Sequence, residues 1–319
     1  MLVSRNLKWK LILFYSWVDL FYYTLLAIIV FLIHDYYKIL DLSIPFNTIA
    51  ALSTALAIYL GFKNNNAYDR WWEARKIWGS LVNYSRVWER EVRILIRNNQ
   101  PENEVAFKEF QKKMVFRHIG FVNALRVYLR TPNGFNIKEN ELFEEENQYF
   151  EVKAYLDKEE YVKFYHKRNP PNYLIDQQGD DLKKAYENGW ISEFHLVRLE
   201  ETLIEINNIQ GMCERIKNTP FIRQYSYFSK VFVFIHATLI PFAFVGDLHL
   251  AMIPISITIS FVFLALDLIG GRTEDPFENR LEDISMSALC ISIETDLKES
   301  LDDVNLPIKA KPNADGVLM

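Results

Sequence analysis

Four apolar blocks interrupt an otherwise polar chain. Residues 11 to 33, LILFYSWVDLFYYTLLAIIVFLI, hold one charge, Asp19, and are long enough to cross a hydrocarbon core roughly 30 Å thick at about 1.5 Å per residue. The block follows NLKWK, has no A-x-A-like cleavage site and exceeds the apolar region of a signal peptide, so an uncleaved span is expected. Residues 44 to 62, IPFNTIAALSTALAIYLGF, form an uncharged second block after the short loop HDYYKILDLS. Beyond residue 225 come VFVFIHATLIPFAFV, 231 to 245, and LAMIPISITISFVFLAL, 250 to 266, separated by GDLH. So short a connection predicts an antiparallel helical hairpin, either as two spans or as buried soluble helices. Tyr225, Tyr227 and Phe228 extend its first arm, and Pro241 and Pro254 suggest kinks.

The polar remainder reads as helical. Arg86, Arg90, Arg93 and Arg97 recur at spacings of four, three and four, which places a basic stripe on one helix face. That stripe is either a solvated face, with Glu89 and Arg93 paired at i,i+4, or a charged wall near an ion path. RTPNGFN then breaks the pattern, acidic residues gather between Glu139 and Glu146, and helical periodicity resumes from Ile191 to Ile216. Basic residues flank the polar ends of the blocks: Arg5, Lys8 and Lys10 before the first, Lys63, Arg70, Arg75 and Lys76 after the second, Arg223 and Lys230 before the hairpin, Arg272 and Arg280 after it. The loop of the first pair offers only Lys38, and GDLH offers none, so both termini and the long middle segment are expected in the cytoplasm. The division expected is residues 1–62 for the first membrane helices, 63–224 for a cytoplasmic helical region, 225–270 for the hairpin, 271–301 for a further cytoplasmic helix and 302–319 for a flexible tail.

Composition narrows the function. Half of the residues are hydrophobic and 24% are charged, a segregation into oily and polar blocks, and a net charge of −5 without a dense basic tract points away from nucleic acid. Two distant cysteines, Cys213 and Cys290, imply neither a disulfide framework nor a metal site. The histidines at 34, 118, 166, 195, 236 and 249 make no i,i+3 or i,i+4 pair, and no H-E-x-x-H, G-x-S-x-G or P-loop pattern occurs. An enzyme is therefore not indicated, and no cofactor or metal is implied. Asp19, His236 and Asp267 are ionisable groups at membrane depth, each either a polar contact between helices or part of a proton or ion relay.

The second block ends in GFKNNNAYDRWWEARKIWG, residues 61 to 79. Ala50, Ala51, Ser53, Thr54, Ala55 and Ala57 allow close helix approach. Thr54, Ile58 and Phe62 are four apart and share one face. That face is either a packing surface within the subunit or, if identical helices surround an axis, a narrow apolar constriction that gates by dewetting. Trp71, Trp72 and Trp78 suit an interfacial anchor or packing against neighbours, and Arg70 with Glu73 and Glu73 with Lys76 make i,i+3 pairs.

GFKNNNAYDRWWEARKIWG resembles the signature of the bestrophin ion channels in their prokaryotic form, and INNIQGMCERIKNTP, 206 to 220, and EDPFENRLEDISMSALCISIE, 274 to 294, extend the resemblance over nearly the whole chain outside about 135 to 190 and the tail after Leu301. What the resemblance implies is an all-α integral membrane protein of the bacterial inner membrane, with four transmembrane helices per subunit and a helical cytoplasmic domain, assembled as a homopentamer around one pore. Its partners are then inorganic ions, the lipid bilayer and copies of itself. By the resemblance the membrane neck falls on Thr54, Ile58 and Phe62, with Thr54 a departure from the bulkier apolar residue the family prefers, and the cytosolic aperture on Ile206 or, one turn away, Ile209. Asn64, Asn65 and Asn66 would lie at the pore mouth below the neck.

A passive channel is the leading expectation, with an ion-coupled transporter using Asp19, His236 or Asp267 and a non-conducting scaffold as alternatives. The absence of a visible inverted repeat weighs against the transporter. Chloride is the family default and a monovalent cation the alternative, since an apolar neck carries no charge with which to choose. In animal bestrophins a dense acidic run after Pro-Phe binds Ca²⁺, whereas here Pro276-Phe277 is followed by ENRLEDIS, where Arg280 dilutes Glu278, Glu282 and Asp283. Calcium-dependent opening is therefore not expected.

Overall fold

A computed structural model describes residues 9–97, 104–131, 149–313 and 316–318. Every regular element among them is helical. In chain order these are α1 (Trp9–Phe31), continued by a π-helical turn at Leu32–Tyr36, α2 (Phe46–Leu95), α3 (Glu104–Arg130), a 3₁₀ turn at Phe150–Tyr155, α4 (Lys158–Tyr165), α5 (Pro170–Glu187), α6 (Glu193–Asn218), α7 (Arg223–Leu248), a 3₁₀ turn at His249–Ala251, α8 (Met252–Thr273) and α9 (Met286–Ser300). The acidic stretch from Glu139 to Glu146 lies outside the described residues.

The chain divides into two compact units. One comprises residues 4–71 and 220–275, the other residues 1–3, 72–219 and 276–319. The division thus falls inside α2, and the helix runs unbroken past Phe62, where the apolar block ends. Asparagine costs a helix interior only some tenths of a kcal/mol, so the alanines, leucines and charged residues on either side carry the helix through Asn64, Asn65 and Asn66. Its buried side shows a repeat that apolar run lengths conceal: Leu60, Ala67, Ala74, Leu81 and Trp88, each seven residues from the last, are all 0% exposed. A seven-residue spacing is two helical turns, so one side of α2 stays covered along this length.

Among the described residues, three stretches are long and apolar enough to cross a membrane: Phe14–Tyr36, within the first unit, Phe46–Leu95, which begins there, and Arg223–Thr273, also within it. The third is α7 and α8, which pack on each other around the 3₁₀ turn. His249 takes a positive φ of 45° at that turn, and its Nδ1 lies 3.1 Å from Asp35 Oδ1 at the end of the α1 turn. Both arms exceed the apolar blocks that announce them: RQYSYFSK continues α7 before its block, and DLIGGRT continues α8 after its own. Tyr23, Leu56, Leu60, Val233, Ala237 and Leu264 bring α1, α2, α7 and α8 to one core. Pro241 sits inside α7 and is buried, whereas Pro254 falls in the first turn of α8, where an amide donor has no intrahelical acceptor and no kink is required.

The second unit is built around α3. Arg117, 2% exposed, forms ion pairs with Glu160 of α4 and, at 2.6 Å, with Asp181 of α5, while its Nη1 also donates to Gln178 Oε1 at 3.3 Å. Asn169 caps α5 by accepting from the Asn172 amide, with Pro170 and Pro171 in the first turn, where prolines fit best. Ser192 caps α6 in the same way through His195 N. On the other side of α3, Arg126 and Arg130 donate to Ser287 Oγ of α9 at 3.1 and 2.9 Å.

Candidate channel residues and the family of the chain

Along the membrane part of α2, Thr54, Ile58 and Phe62 lie exposed on the subunit surface, Ile58 at 56% and Phe62 at 65%. A span whose other side is packed needs no such run of exposed apolar residues unless lipid or another subunit meets it. The packing face is elsewhere: Leu56, Leu60 and Lys63 of the same helix are covered. Thr54 Oγ1 donates to Ala50 O at 2.9 Å, so its hydroxyl is satisfied within the helix and its methyl completes the exposed face.

The three asparagines separate. Asn65 and Asn66 are exposed, whereas Asn64 is half-buried and its Nδ2 donates to Leu266 O of α8 at 3.0 Å. Asn64 therefore packs against α8 while the other two face outward. Beside it, Lys63 is fully enclosed and its Nζ donates to Asp267 Oδ1 at 2.7 Å and to Ser229 Oγ at 2.8 Å. Sequence reasoning counted Lys63 among the flanking basic residues. The signal for the pair was present in lone, opposite charges at the polar ends of two apolar blocks.

Two of the three ionisable residues expected at membrane depth, His236 and Asp267, have packing partners. Ser53 Oγ donates to Ile49 O at 2.8 Å, so its contact with His236 Nε2 at 2.6 Å makes the imidazole the donor. His236 also lies against Phe263 with ring centroids 4.4 Å apart. Asp267 is held by Lys63, and Asp19 is half-buried on α1.

The two residues expected at the aperture on α6 are both buried. Ile206 is 0% and Ile209 1% exposed, so both side chains are enclosed by the chain's own packing. They alternate with Leu199, Leu203 and Cys213 on the packed face of an amphipathic helix. The apolar residues that α6 does present outward are Phe194, Val197 and Ile204, 86%, 55% and 56% exposed, and Ile204 lies nearest the expected positions.

Among the arginines of the α2 stripe, Arg86 meets Asp296 of α9 at 2.6 Å and Arg93 meets Glu89 at 3.0 Å, which makes these two members a paired, partly solvated face. Glu73 pairs with Arg215 of α6 at 2.6 Å, and Arg70 lies 3.8 Å from Asp275. Past Pro276-Phe277, Glu278 holds the buried Lys217 at 2.7 Å. Asp283 accepts from the Arg280 amide at 3.1 Å, and burial pushes its carboxyl up to about 6.

The family model described as "Bacterial/Fungal Bestrophin protein" matches residues 12–299. The chain belongs to the bestrophin family. This bestrophin is 31% identical over 289 residues to the voltage-dependent anion channel-forming protein YneE of Salmonella typhi, across 91% of the chain and 88% of that protein. It is 27% identical over 262 residues to the voltage-dependent anion channel-forming protein sll1024 of Synechocystis, across 81% and 78% of the two chains. In three dimensions it is similar to a bacterial bestrophin homologue from Klebsiella pneumoniae, with a TM-score of 0.77 at 26% identity over 89% of this chain and 97% of that one.

Proposed function

We propose that this bestrophin is a passive anion channel, a homopentamer with four membrane spans per subunit and both termini in the cytoplasm. Chloride is the ion we assign by family default. The observation that carries the reading is the exposed apolar face of Thr54, Ile58 and Phe62 on a membrane-length helix whose opposite side is packed and pinned by a buried charge pair. Five such faces around an axis make a dry neck, and an apolar constriction gates by dewetting. Asn65 and Asn66 then line the polar exit from the neck. On α6 the outward Ile204, in place of Ile206 or Ile209, is the residue for a second, cytosolic constriction. The names of the YneE-type relatives support the anion assignment, and the pairing of His236 and Asp267 with packing partners supports a channel over an ion-coupled transporter.

The test is the reversal potential of the purified protein in planar bilayers across a KCl gradient. A value near the chloride equilibrium potential is expected. A value near the potassium equilibrium potential makes it a cation channel, and no current under any condition makes it a scaffold.

A further inference from the structure

Directly after Phe62, α2 turns its packed side into α8. Lys63 reaches Asp267 and Ser229, and Asn64 donates to Leu266 O, while Asn64 Oδ1 is buried without a hydrogen-bond partner. The surface receiving these two side chains is Gly270. A Cβ there would overlap Asn64 Oδ1 and come within 3.3 Å of Asn64 Cγ and 3.4 Å of Lys63 Cε. Glycine is unfavourable in a helix interior, and here its bare Cα is the space that Asn64 occupies. An orphaned carbonyl and an interior glycine at one spot are two costs that the same close approach explains.

We propose that Lys63, Asn64, Asp267 and Gly270 form a rotational key that sets the direction in which Ile58 and Phe62 point. At 3.6 residues per turn, Lys63 and Asn64 lie roughly 100° and 200° around the helix from Phe62, so fixing both fixes the heading of the exposed face. The ion pair makes the fixation directional, because turning α2 would separate two buried charges, whereas a purely apolar contact would slide. These residues line no part of the neck themselves. They are positioning residues, and the inference rests on the reading of that face as the neck.

Recordings from purified, full-length channels in planar bilayers test it. Gly270→Ala should shift open probability by about tenfold or more, the scale of a two-state population shift, and Asn64→Ala added to it, which removes the overlapping atoms, should return open probability to within about twofold of wild type. Lys63→Met with Asp267→Leu, which replaces the pair by apolar side chains of similar volume, should retain the oligomer and its melting temperature yet shift open probability, and it decides the matter where Gly270→Ala does not assemble. A merely structural role predicts a lowered melting temperature with wild-type gating in the surviving Gly270→Ala channels. That result, a failure of Asn64→Ala to rescue, or wild-type gating in the Lys63→Met/Asp267→Leu channel overturns the key. A conducting wild type with unmoved variants removes this inference alone, whereas a silent wild type removes the channel reading and the key with it.

Discussion

At Ile206 the side chain is enclosed by its own subunit, so trimming it opens a cavity rather than widening a passage. Ile206→Ala should destabilise the protein by about 2–5 kcal/mol, seen as a lower melting temperature. Ile204→Ala, on the exposed side, should leave the melting temperature within a degree or so of wild type and change single-channel conductance. At the neck, Ile58→Ala with Phe62→Ala should give an intact oligomer with a higher open probability, because exposed side chains leave no cavity when truncated and a wider, wetter constriction conducts more readily. Recording from the purified double variant checks this, and wild-type gating counts against the neck assignment. His118 shows a further residue-scale effect. Burial pushes its imidazole down to about 3, and its Nε2 lies 2.8 Å from Ser85 Oγ. The folded protein therefore stays neutral there while the unfolded chain takes up a proton below about pH 6.5, so this contribution to stability is present above that pH and is lost as pH falls. His118→Gln, which keeps a donor for Ser85, should flatten the decline in melting temperature between about pH 7 and pH 5.

At the scale of elements, apolar run length located α1, the membrane part of α2, α7 and α8, because burying a span in lipid demands an uninterrupted greasy stretch. Run length did not show that α2 continues to Leu95, since a helix ends where its backbone bonds end, not where its hydropathy changes. The same limit hid the burial of Ile206. A resemblance supplies the segment, but that Ile206 and Ile209 are covered while Ile204 faces outward depends on what α6 packs against. The packing of Asn64 was hidden for a related reason, since three identical residues in a row point three ways. Ion pairs between elements also differ in kind. Arg117→Met leaves Glu160 buried without its partner and Asp181 with Lys184 alone, and should cost about 3–5 kcal/mol. Arg86→Ala breaks a half-exposed pair with Asp296 and should cost under about 1 kcal/mol, and thermal unfolding of the two variants side by side measures the contrast.

At the scale of the whole molecule, the two compact units meet between residues 71 and 72, 219 and 220, and 275 and 276, whereas hydropathy puts the first border between residues 62 and 63, within the unbroken α2. The segment after Pro276-Phe277 keeps Glu278 on Lys217, and a carboxylate already neutralised by a buried ammonium is a poor ligand for a hard cation. Open probability should accordingly stay the same when micromolar Ca²⁺ is added to the cytoplasmic side. Currents that appear only with the cation would show that the carboxylates after Pro276-Phe277 exchange partners.

The seven-residue recurrence of Leu60, Ala67, Ala74, Leu81 and Trp88 gives α2 something like a reading frame. Point changes at its exposed positions alter one letter. Removing a single residue among the asparagines would turn every later side chain by about 100°, carrying Ala67, Ala74, Leu81 and Trp88 out of the covered side at once and bringing charged neighbours in. Among relatives of this protein, differences in length should therefore gather in the loops and spare this helix, as a gene tolerates misspellings within a codon far better than a lost base.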